Sequence, residues 1–536
     1  MRTRTFAAAA CAAAVALAVA YAGLRWGVLV AGGSDSYGYV SQAALWRRGT
    51  LVVRQPIVRP TPWPYAADTW TPLGYRPSPH IREGYVPLYA PGLPLLMAAA
   101  QAVAGFCAAF TIVPICGAVT VWLTFVLGRH LFGAPRIALG GAALVATSPV
   151  FVYQVLNAMS DVPTTAFWTL ALVLAVVQRP LASGLAMTTA IAIRPNLAPL
   201  AAIIAAWIWI AGADRSERGR SLLRFAAGTA PAVIGIAWLN ARLYESPFTS
   251  GYGTTSDLYS LRYVTTNAAN FVSWLMEAET VIVALAAVYV AMPALAPPPR
   301  LRGTRLLAGG TIAAILLSYL FYRPFDVWWY LRFLLPMWPM MMLATAAGIA
   351  AIASRLAGSA DEPRRAAIAI AAVVALVSLH HLRFLSSHSV FDLGRSERKY
   401  VDVARFVADH TEPDAVILSR LHSGSLRFYA DRQTLRFDIL DPGWLDRSLT
   451  WLQSGGHHPY LVLDGREVEE FRLRFAGSRA SPLAWPPIAE LNGVVFVYDA
   501  LGGDPSSSPL AIAATRGSRT LLPCDPPRAS SRSGRR

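Results

Sequence analysis

Charged residues are scarce in this sequence. Asp, Glu, Lys and Arg make up 15% of its 536 residues, whereas about a quarter is usual in a soluble domain. Hydrophobic residues account for 55% of the chain, and its mean hydropathy is +0.42. This composition excludes an ordinary soluble enzyme. Lysine is almost absent, because Lys399 is the only one in the chain.

The net charge of +16 does not indicate a nucleic-acid-binding protein. Arginine supplies nearly all of the positive charge, in short clusters between apolar runs. That distribution is typical of the cytoplasmic loops of membrane proteins. We therefore expect membrane lipids, and no nucleic acid, among the partners of the protein.

Cysteine is also scarce, with four in the chain. Cys11, Cys107 and Cys116 lie in apolar runs and Cys524 lies in a polar tail, without CxxC spacing or clustered histidines. The pattern predicts no disulfide scaffold, zinc site or redox pair. The sequence also lacks a glycine-rich phosphate loop and a convincing internal repeat, so it gives no support to a nucleotide site or an inverted-repeat transporter.

Long apolar runs predict an all-α polytopic membrane protein with about eleven crossings. Arg2 and Arg4 hold the N-terminus inside, and the first run favours a retained signal anchor over a cleaved signal peptide. Segment 86–105, rich in Pro and Gly at its start, is predicted to be a juxtamembrane or re-entrant helix on the outer face. The predicted crossings are 1–32, 107–127, 137–157, 164–178, 181–193, 195–212, 221–241, 271–292, 306–322, 331–352 and 366–386.

The same pattern divides the chain into three parts. Residues 1–387 form the membrane domain, whose loop 33–84 lies on the exoplasmic side of the cell (inner) membrane. Residues 388–500 alternate helix-like stretches with short β-rich runs, which predicts a small exoplasmic α/β domain. Residues 501–536 are rich in Ser, Pro, Gly and Arg and are predicted to be a disordered tail.

Two acids follow crossings on the outer side. Asp35 lies where the first crossing ends, and Asp161 lies in the turn before the segment 164–178. An Asp after Gly-Ser is commonly a turn residue, and Ser-Asp before an apolar run is a common helix N-cap. The functional alternative is a pair of catalytic carboxylates close to the bilayer, one of which acts as a general base.

Basic residues on the same side are candidate ligands for a phosphate. Arg194 lies between two apolar half-segments, where a charge is costly and is often functional, although snorkelling to the interface is the alternative. Arg332 lies at the outer end of the crossing 331–352, and His80 and Arg82 lie late in the first loop. A guanidinium binds phosphate oxygens through two parallel hydrogen bonds.

Taken in order, the motifs of residues 1–390 resemble glycosyltransferase family 39 of the glycosyltransferase C superfamily. This group includes the dolichyl-phosphate-mannose protein mannosyltransferases and the lipid A aminoarabinose transferases. The motifs are Ser34-Asp35-Ser36-Tyr37, Tyr89-Ala90-Pro91-Gly92-Leu93-Pro94, Gly128-Arg129-His130-Leu131-Phe132-Gly133, Ser160-Asp161-Val162-Pro163, Ile193-Arg194-Pro195-Asn196 and Leu331-Arg332-Phe333-Leu334-Leu335-Pro336.

The resemblance implies a polyprenyl-phosphate-linked sugar donor and inverting transfer to an exoplasmic lipid, glycan or protein acceptor. By the same resemblance, Asp35 is the first-loop acid and the base, Asp161 is the second-loop acid, and Arg332 binds the donor phosphate with Arg194, Arg82 or His80. No cofactor is predicted with certainty. The two acids could share a divalent cation, but the family does not require a metal. The alternatives are a polytopic transporter or lipid flippase, and a non-catalytic scaffold of the cell envelope.

Overall fold

A computed structural model describes residues 2–212, 214–293, 299–357, 362–503, 508–512 and 524–527. All elements named below lie in these ranges. Within them the chain forms an apolar helical part, a small sheet in the first loop, and a mixed α/β domain that follows the last long helix.

Each of the eleven predicted crossings contains helix. Five helices are long and apolar enough to cross a membrane, and two bent helix pairs raise that number to seven. The chain is therefore a multi-pass membrane protein. The other four predicted crossings are shorter apolar helices of 10–17 residues, so the count of eleven stays a prediction.

The helices of the apolar part run in chain order from α1 to α17. They are α1 Arg2–Trp26, α2 Asp35–Arg47, α3 Ala66–Thr69, α4 Gly92–Ala104, α5 Ile112–Phe132, α6 Pro135–Thr147, α7 Pro149–Val155, α8 Asp161–Val176, α9 Pro180–Ile193, α10 Ala201–Ala211, α11 Arg215–Leu243, α12 Thr255–Leu258, α13 Val264–Ala278, α14 Leu285–Ala291, α15 Thr304–Leu320, α16 Trp338–Ala357 and α17 Glu362–Ser387.

Two predicted crossings are sharply bent. The chain turns by 61° between α6 and α7, where Pro149 cannot donate a helical hydrogen bond. The segment predicted as one crossing over 271–292 turns by 117° after α13. Thr280 at this bend has a φ of 69°, a conformation that a β-branched residue adopts only when the surrounding structure enforces it.

Helices α9 and α11 approach closely through two glycines. A Cβ added at Gly228 would lie 2.6 Å from the carbonyl oxygen of Leu181 and 2.9 Å from the Cα of Gly184. No larger residue fits there without separating the helices. This contact lies in the first turns of α9 and holds that part of the helix against α11.

The first loop is ordered by α2, α3 and a three-stranded antiparallel sheet. Its strands are β1 Val53–Arg54, β2 Tyr75–Pro77 and β3 Gly84–Pro87, with β3 in the centre. The chain then enters α4, which lies in the segment predicted as a juxtamembrane helix. A Cβ at Gly92 would overlap the backbone of Ala192 and Ile193, so this glycine lets the start of α4 approach the end of α9.

Residues after α17 form a six-stranded mixed sheet with helices on both faces. The strand order is β5-β4-β6-β8-β7-β9, in which β4 pairs parallel with β5 and β6, and β8 pairs antiparallel with β6 and β7. The elements are α18 Leu393–Ser396, α19 Lys399–His410, β4 Val416–Leu418, α20 Ser423–Ala430, β5 Gln433–Leu435, α21 Leu445–Ser454, β6 Pro459–Asp464, α22 Gly465–Arg474, β7 Ala489–Leu491, β8 Val495–Asp499 and β9 Leu510–Ile512.

Alternating side chains of β6 divide the core of this domain between the two faces of the sheet. Leu461 and Leu463 pack with α21, α22 and two tryptophans of the first loop. Tyr460 and Val462 share a core with α19, α20, α2 and α4. Because this second core includes both the domain and the first loop, the domain supports the loop that carries Asp35.

Direct contacts join the domain to the start of that loop. The backbone N–H of Ala31 donates to the Tyr429 hydroxyl at 2.9 Å. The ring of Tyr400 covers Gly32, and the ring of Tyr37 covers Gly424, at both of which a Cβ would overlap the ring.

The tail differs from its prediction in the residues that the structure describes. Leu510–Ile512 forms β9, which pairs with β7, instead of being disordered. Cys524 forms a disulfide with Cys107, and the neighbouring Asp525 lies 3.4 Å from Arg398. This pairing could not be predicted from spacing, because 417 residues separate the two cysteines. Residues 504–507, 513–523 and 528–536 of the predicted tail lie outside the described residues.

Candidate functional site

Both predicted acids lie at the first residue of a helix. Asp35 begins α2 and Asp161 begins α8. A carboxylate is favoured there because the unpaired N–H groups give a helix N-terminus partial positive charge. Neither preceding serine makes a side-chain capping hydrogen bond. The N-cap interpretation of Ser160 therefore does not account for this motif.

Both predicted membrane arginines lie where regular helix is interrupted. Arg194 follows α9 and precedes Pro195, whose ring cannot continue the helical hydrogen-bond pattern. Arg332 lies in the 3₁₀ segment Trp328–Met337, just before α16. The interruptions let both long side chains reach the space beside the acids.

The four charged residues form two ion pairs. Arg332 Nη1 lies 3.0 Å from Asp35 Oδ2, and Arg194 Nη2 bonds to Asp161 Oδ1. Phe333 lies beside both guanidinium groups, with its ring centroid 5.2 Å from Arg332 Cζ and 5.5 Å from Arg194 Cζ. Such cation–π contacts stabilise a desolvated guanidinium.

The two pairs differ in exposure. The Asp161 side chain is 2% exposed and that of Asp35 is 26% exposed. Asp161 is therefore buried against Arg194, whereas Asp35 is partly open to its surroundings. Removing one member of a buried ion pair leaves the other charge unpaired at high cost.

All four residues line one cavity of about 340 Å³. Its wall is built from α2, the residues before α4, α8, the end of α9, α11, the loop 244–260, the end of α15 and the middle of the 3₁₀ segment before α16. The other lining residues are mostly tyrosines, amides and hydroxyls: Tyr39, Tyr89, Tyr244, Tyr252, Tyr259, Tyr319, Tyr322, Asn196, Asn240, Ser160, Ser250, Thr254 and Thr255. A concave site with aromatic walls and a few convergent polar groups is typical of a ligand pocket.

Tyr89 and Tyr39 connect the acids to the rest of the wall. The Tyr89 hydroxyl donates to Asp35 Oδ1 at 2.5 Å and contacts Ser34 Oγ at 2.9 Å. The Tyr39 hydroxyl donates to Ser160 Oγ at 3.0 Å, and the two tyrosine rings lie 4.5 Å apart. Burial raises the pKa of both tyrosines, so they remain protonated donors.

The sequence did not single out these tyrosines as site residues. Tyr89 opens the Tyr-Ala-Pro-Gly motif, and that motif was the available signal. Tyrosine is common at membrane interfaces, so residue type alone did not distinguish Tyr39, Tyr252 or Tyr322 from interfacial anchors.

His80 and Arg82 do not lie among the residues that line this cavity. Both are exposed in the first loop. His80 Nε2 lies 2.8 Å from the carbonyl oxygen of Tyr244, so its ring connects the first loop to the end of α11. Of the six site residues predicted from the sequence, the structure brings together Asp35, Asp161, Arg194 and Arg332.

Among the described residues, no group of three or more His, Cys, Asp or Glu side chains is arranged to hold a metal ion. The two cavity acids already have arginine partners. The arrangement can bind an anion beside an accessible carboxylate, inside a wall of hydroxyl and aromatic groups.

Together these features define a polytopic membrane fold with a charged cavity beneath an ordered first loop. No family model matches the chain, and no curated protein matches it. Several solved structures do match it. ArnT from Cupriavidus metallidurans in the apo state has a TM-score of 0.58 at 15% identity, covering 92% of this chain and 98% of that one.

Two further structures hold lipid phosphates. ArnT bound to undecaprenyl phosphate has a TM-score of 0.58 at 14% identity, covering 90% of this chain and 96% of that one. The oligosaccharyltransferase AglB from Archaeoglobus fulgidus, in complex with an inhibitory peptide and a dolichol-phosphate, has a TM-score of 0.54 at 12% identity, covering 88% and 72%. This chain therefore shares the fold of ArnT and AglB, and the predicted resemblance is confirmed at the level of the fold.

Proposed function

We propose that this protein is a membrane glycosyltransferase that moves a sugar from a polyprenyl-phosphate donor to a hydroxyl group of an exoplasmic lipid, glycan or protein. The proposal rests on one observation, which is that a single cavity is lined by Asp35, Asp161, Arg194 and Arg332. Four separate parts of the chain supply these residues. The fold is one in which solved structures hold undecaprenyl phosphate and dolichol-phosphate.

Asp35 is the proposed general base. It is the more exposed acid of the cavity, and it lies at the outer end of the first crossing in the predicted topology. It takes the proton of the acceptor hydroxyl as the oxygen attacks the anomeric carbon of the sugar. The bond from that carbon to the donor phosphate breaks on the opposite face, which inverts the anomeric configuration.

The two arginines are the proposed phosphate ligands. Within the described part of the chain, Arg194 Nη1 and Arg332 Nε are buried and have no hydrogen-bond partner. A buried donor without a partner is unfavourable. A phosphate oxygen bound there satisfies it and receives charge stabilisation as the leaving group departs.

An apolar groove supports a donor that remains in the bilayer. It has a volume of about 440 Å³ and lies between α10 and α11. Going outward along α11, the groove residues Val233 and Ile234 are followed by Ile236 and Asn240, which line the charged cavity. An isoprenoid chain in this groove leaves its phosphate at the level of the arginines.

The test uses purified protein in proteoliposomes with a donor labelled in the sugar, and a cell-envelope fraction as acceptor. A transferase converts the donor into unlabelled polyprenyl phosphate and labelled acceptor, whereas a flippase leaves the donor intact. We expect Asp35→Asn to abolish conversion. Arg59→Gln is the matched control, because Arg59 is 80% exposed in the same loop and should leave conversion unchanged.

The phosphate ligands are tested by donor binding. Replacing Arg332 or Arg194 with Lys keeps the charge but loses the planar two-donor geometry. We expect weaker donor binding in both variants. Unchanged donor affinity in Arg332→Ala and Arg194→Ala, at normal expression, would remove these residues from the proposed site.

A further inference from the structure

The charged side chains that line the cavity balance one another. Of its lining residues in the described part of the chain, four are charged, and they form the two pairs Asp35 with Arg332 and Asp161 with Arg194. Two positive and two negative charges therefore balance. The donor phosphate of the proposed function adds a negative charge on the side of the arginines.

The remaining wall is neutral and aromatic. The ring centroids of Tyr89 and Tyr252 lie 5.9 Å apart in an edge-on contact, and those of Tyr259 and Tyr322 lie 5.2 Å apart. These rings present apolar faces with hydroxyl groups at their edges. Such a surface packs against the C–H face of a sugar ring and exchanges hydrogen bonds with its hydroxyls.

Two amides add neutral polar contacts. Asn196 Nδ2 donates to the Tyr319 hydroxyl at 2.7 Å, and Asn240 Nδ2 donates to the carbonyl oxygen of Pro247 at 3.1 Å. Each amide carries both a donor and an acceptor, which suits a hydroxyl better than a charged group.

We infer that the sugar carried by the donor is neutral, a pentose or hexose with free hydroxyls and without an ammonium or carboxylate group. This inference rests on the proposed function. An ammonium sugar would have to displace Tyr89 or Arg332, which engage both oxygens of Asp35, or reach Asp161, whose side chain is 2% exposed. A carboxylate sugar would compete with the phosphate for the same arginines. An unpaired charge in a desolvated cavity is strongly disfavoured, so the wall itself selects against charged sugars.

The test measures equilibrium binding of five lipids to the full chain in nanodiscs. The probes are farnesyl phosphate and its phosphodiesters with arabinose, glucose, 4-amino-4-deoxyarabinose and glucuronic acid. We expect at least one neutral ester to bind about tenfold more tightly than both charged esters. If either charged ester binds as tightly as the better neutral ester, the inference is overturned.

Two variants test whether the residues that line the cavity determine the preference among the sugar esters. Asn196→Asp adds an unpaired carboxylate, and we expect the amino-sugar ester to gain about tenfold relative to the neutral esters. Tyr252→Ala should weaken the neutral esters several-fold while farnesyl phosphate itself binds as before. Tyr263→Ala, at a tyrosine that does not line the cavity, is the matched control. An unchanged order of affinities in Asn196→Asp would overturn the inference.

Binding of farnesyl phosphate alone distinguishes failure of the neutral-sugar inference from failure of the proposed function. If farnesyl phosphate binds and all four esters bind equally, the neutral-sugar inference fails and the proposed phosphate site stands. If neither farnesyl phosphate nor any ester binds, the proposed function fails, and the inference fails with it.

Discussion

The hydroxyl of Tyr89 donates a hydrogen bond of 2.5 Å to Asp35 Oδ1. The other oxygen of the carboxylate accepts a hydrogen bond of 3.0 Å from Arg332 Nη1. Both oxygens of the proposed base are thus held by side chains from other parts of the chain, which fixes the direction of the carboxylate in the cavity. Tyr89 acts through Asp35 and is a positioning residue.

Tyr89→Phe is therefore expected to lower turnover about tenfold while donor affinity changes less than about twofold. The ring and its packing on Tyr39 remain, and only the hydrogen bond to the base is lost. The measurement is the separation of kcat from donor Kd in proteoliposomes, with Tyr263→Phe as control. A parallel loss of donor binding in Tyr89→Phe would indicate a role in the pocket wall instead.

Replacing Asp35 or Asp161 with asparagine is expected to have different effects on turnover and stability. Asp35→Asn should reduce turnover by about 10²- to 10⁴-fold, the usual contribution of general-base catalysis. Donor binding should be kept, and thermal stability should fall less than in Asp161→Asn because the Asp35 side chain is 26% exposed. Asp161→Asn leaves Arg194 buried without its partner, which typically costs about 3–5 kcal/mol. It should lower the unfolding temperature as well as activity.

Measuring kcat and the unfolding temperature of both variants separates these roles. If Asp35→Asn keeps turnover and Asp161→Asn abolishes it at unchanged stability, the roles of the acids are exchanged. Full activity in both variants would refute the mechanism.

The sequence predicted the helices and the charged part of the site for a physical reason. A long apolar run in a chain of high hydropathy has few alternatives to a membrane helix, and a charge within such a run is costly enough to stand out. Arg194 was found in this way, whereas Asp35, Asp161 and Arg332 were found as charged residues at the outer ends of crossings that match the motifs of the resemblance. Tyr39 and Tyr89 were missed because tyrosine at an interface has an ordinary explanation.

Other features depend on contacts that composition does not encode. The 117° bend at Thr280 divides the segment 271–292, which was predicted as one crossing. The Cys107–Cys524 disulfide closes over 417 residues. The exposed positions of His80 and Arg82 follow from the fold of the first loop, which places its basic end beside α11 and outside the cavity.

Gly228→Leu is expected to destabilise the membrane domain. A side chain at this position would force α11 away from α9, and overpacking of this kind typically costs about 1–3 kcal/mol. Gly235→Leu is the matched control on the same helix, since a Cβ at Gly235 has no neighbour within 4 Å. The measurement is thermal unfolding in detergent, and equal effects of the two variants would contradict the packing argument.

The Cys107–Cys524 disulfide is expected to hold the C-terminal segment against the membrane domain. A protease site placed in the exposed turn at Gly455 and Gly456 separates the two cysteines along the chain. After cleavage, the fragments should migrate together in denaturing gels without reductant and separate with it. Cys524→Ser should separate them in both conditions.

Because disulfides persist in oxidising compartments, a linked product would also support the exoplasmic location of both cysteines. Separation of the unsubstituted fragments without reductant would show that this bond does not form in the cell.

His422 is expected to make the α/β domain sensitive to acid. Its side chain is fully buried, neither ring nitrogen has a partner among the described residues, and its ring lies 4.6 Å from that of Tyr400. Burial lowers the pKa of His422 to about 3, with a smaller contribution from Lys399. A histidine with a depressed folded-state pKa contributes stability that is present above its unfolded value of about 6.5 and is lost as the pH falls toward 3.

At pH 5 the loss attributable to His422 is about 2 kcal/mol. Glu467 acts in the opposite sense, because burial raises its pKa to about 7 and its contribution to stability is lost as the pH rises through that value.

The pH dependence of stability must therefore be compared between variants. His422→Phe should lose less stability than the unsubstituted chain between pH 7 and pH 5, whereas His457→Phe, at a partly exposed histidine of the same domain, should behave like the unsubstituted chain. Tryptophan fluorescence during thermal unfolding at each pH gives the measurement. Identical pH dependence in His422→Phe and the unsubstituted protein would show that His422 is not buried in its neutral form.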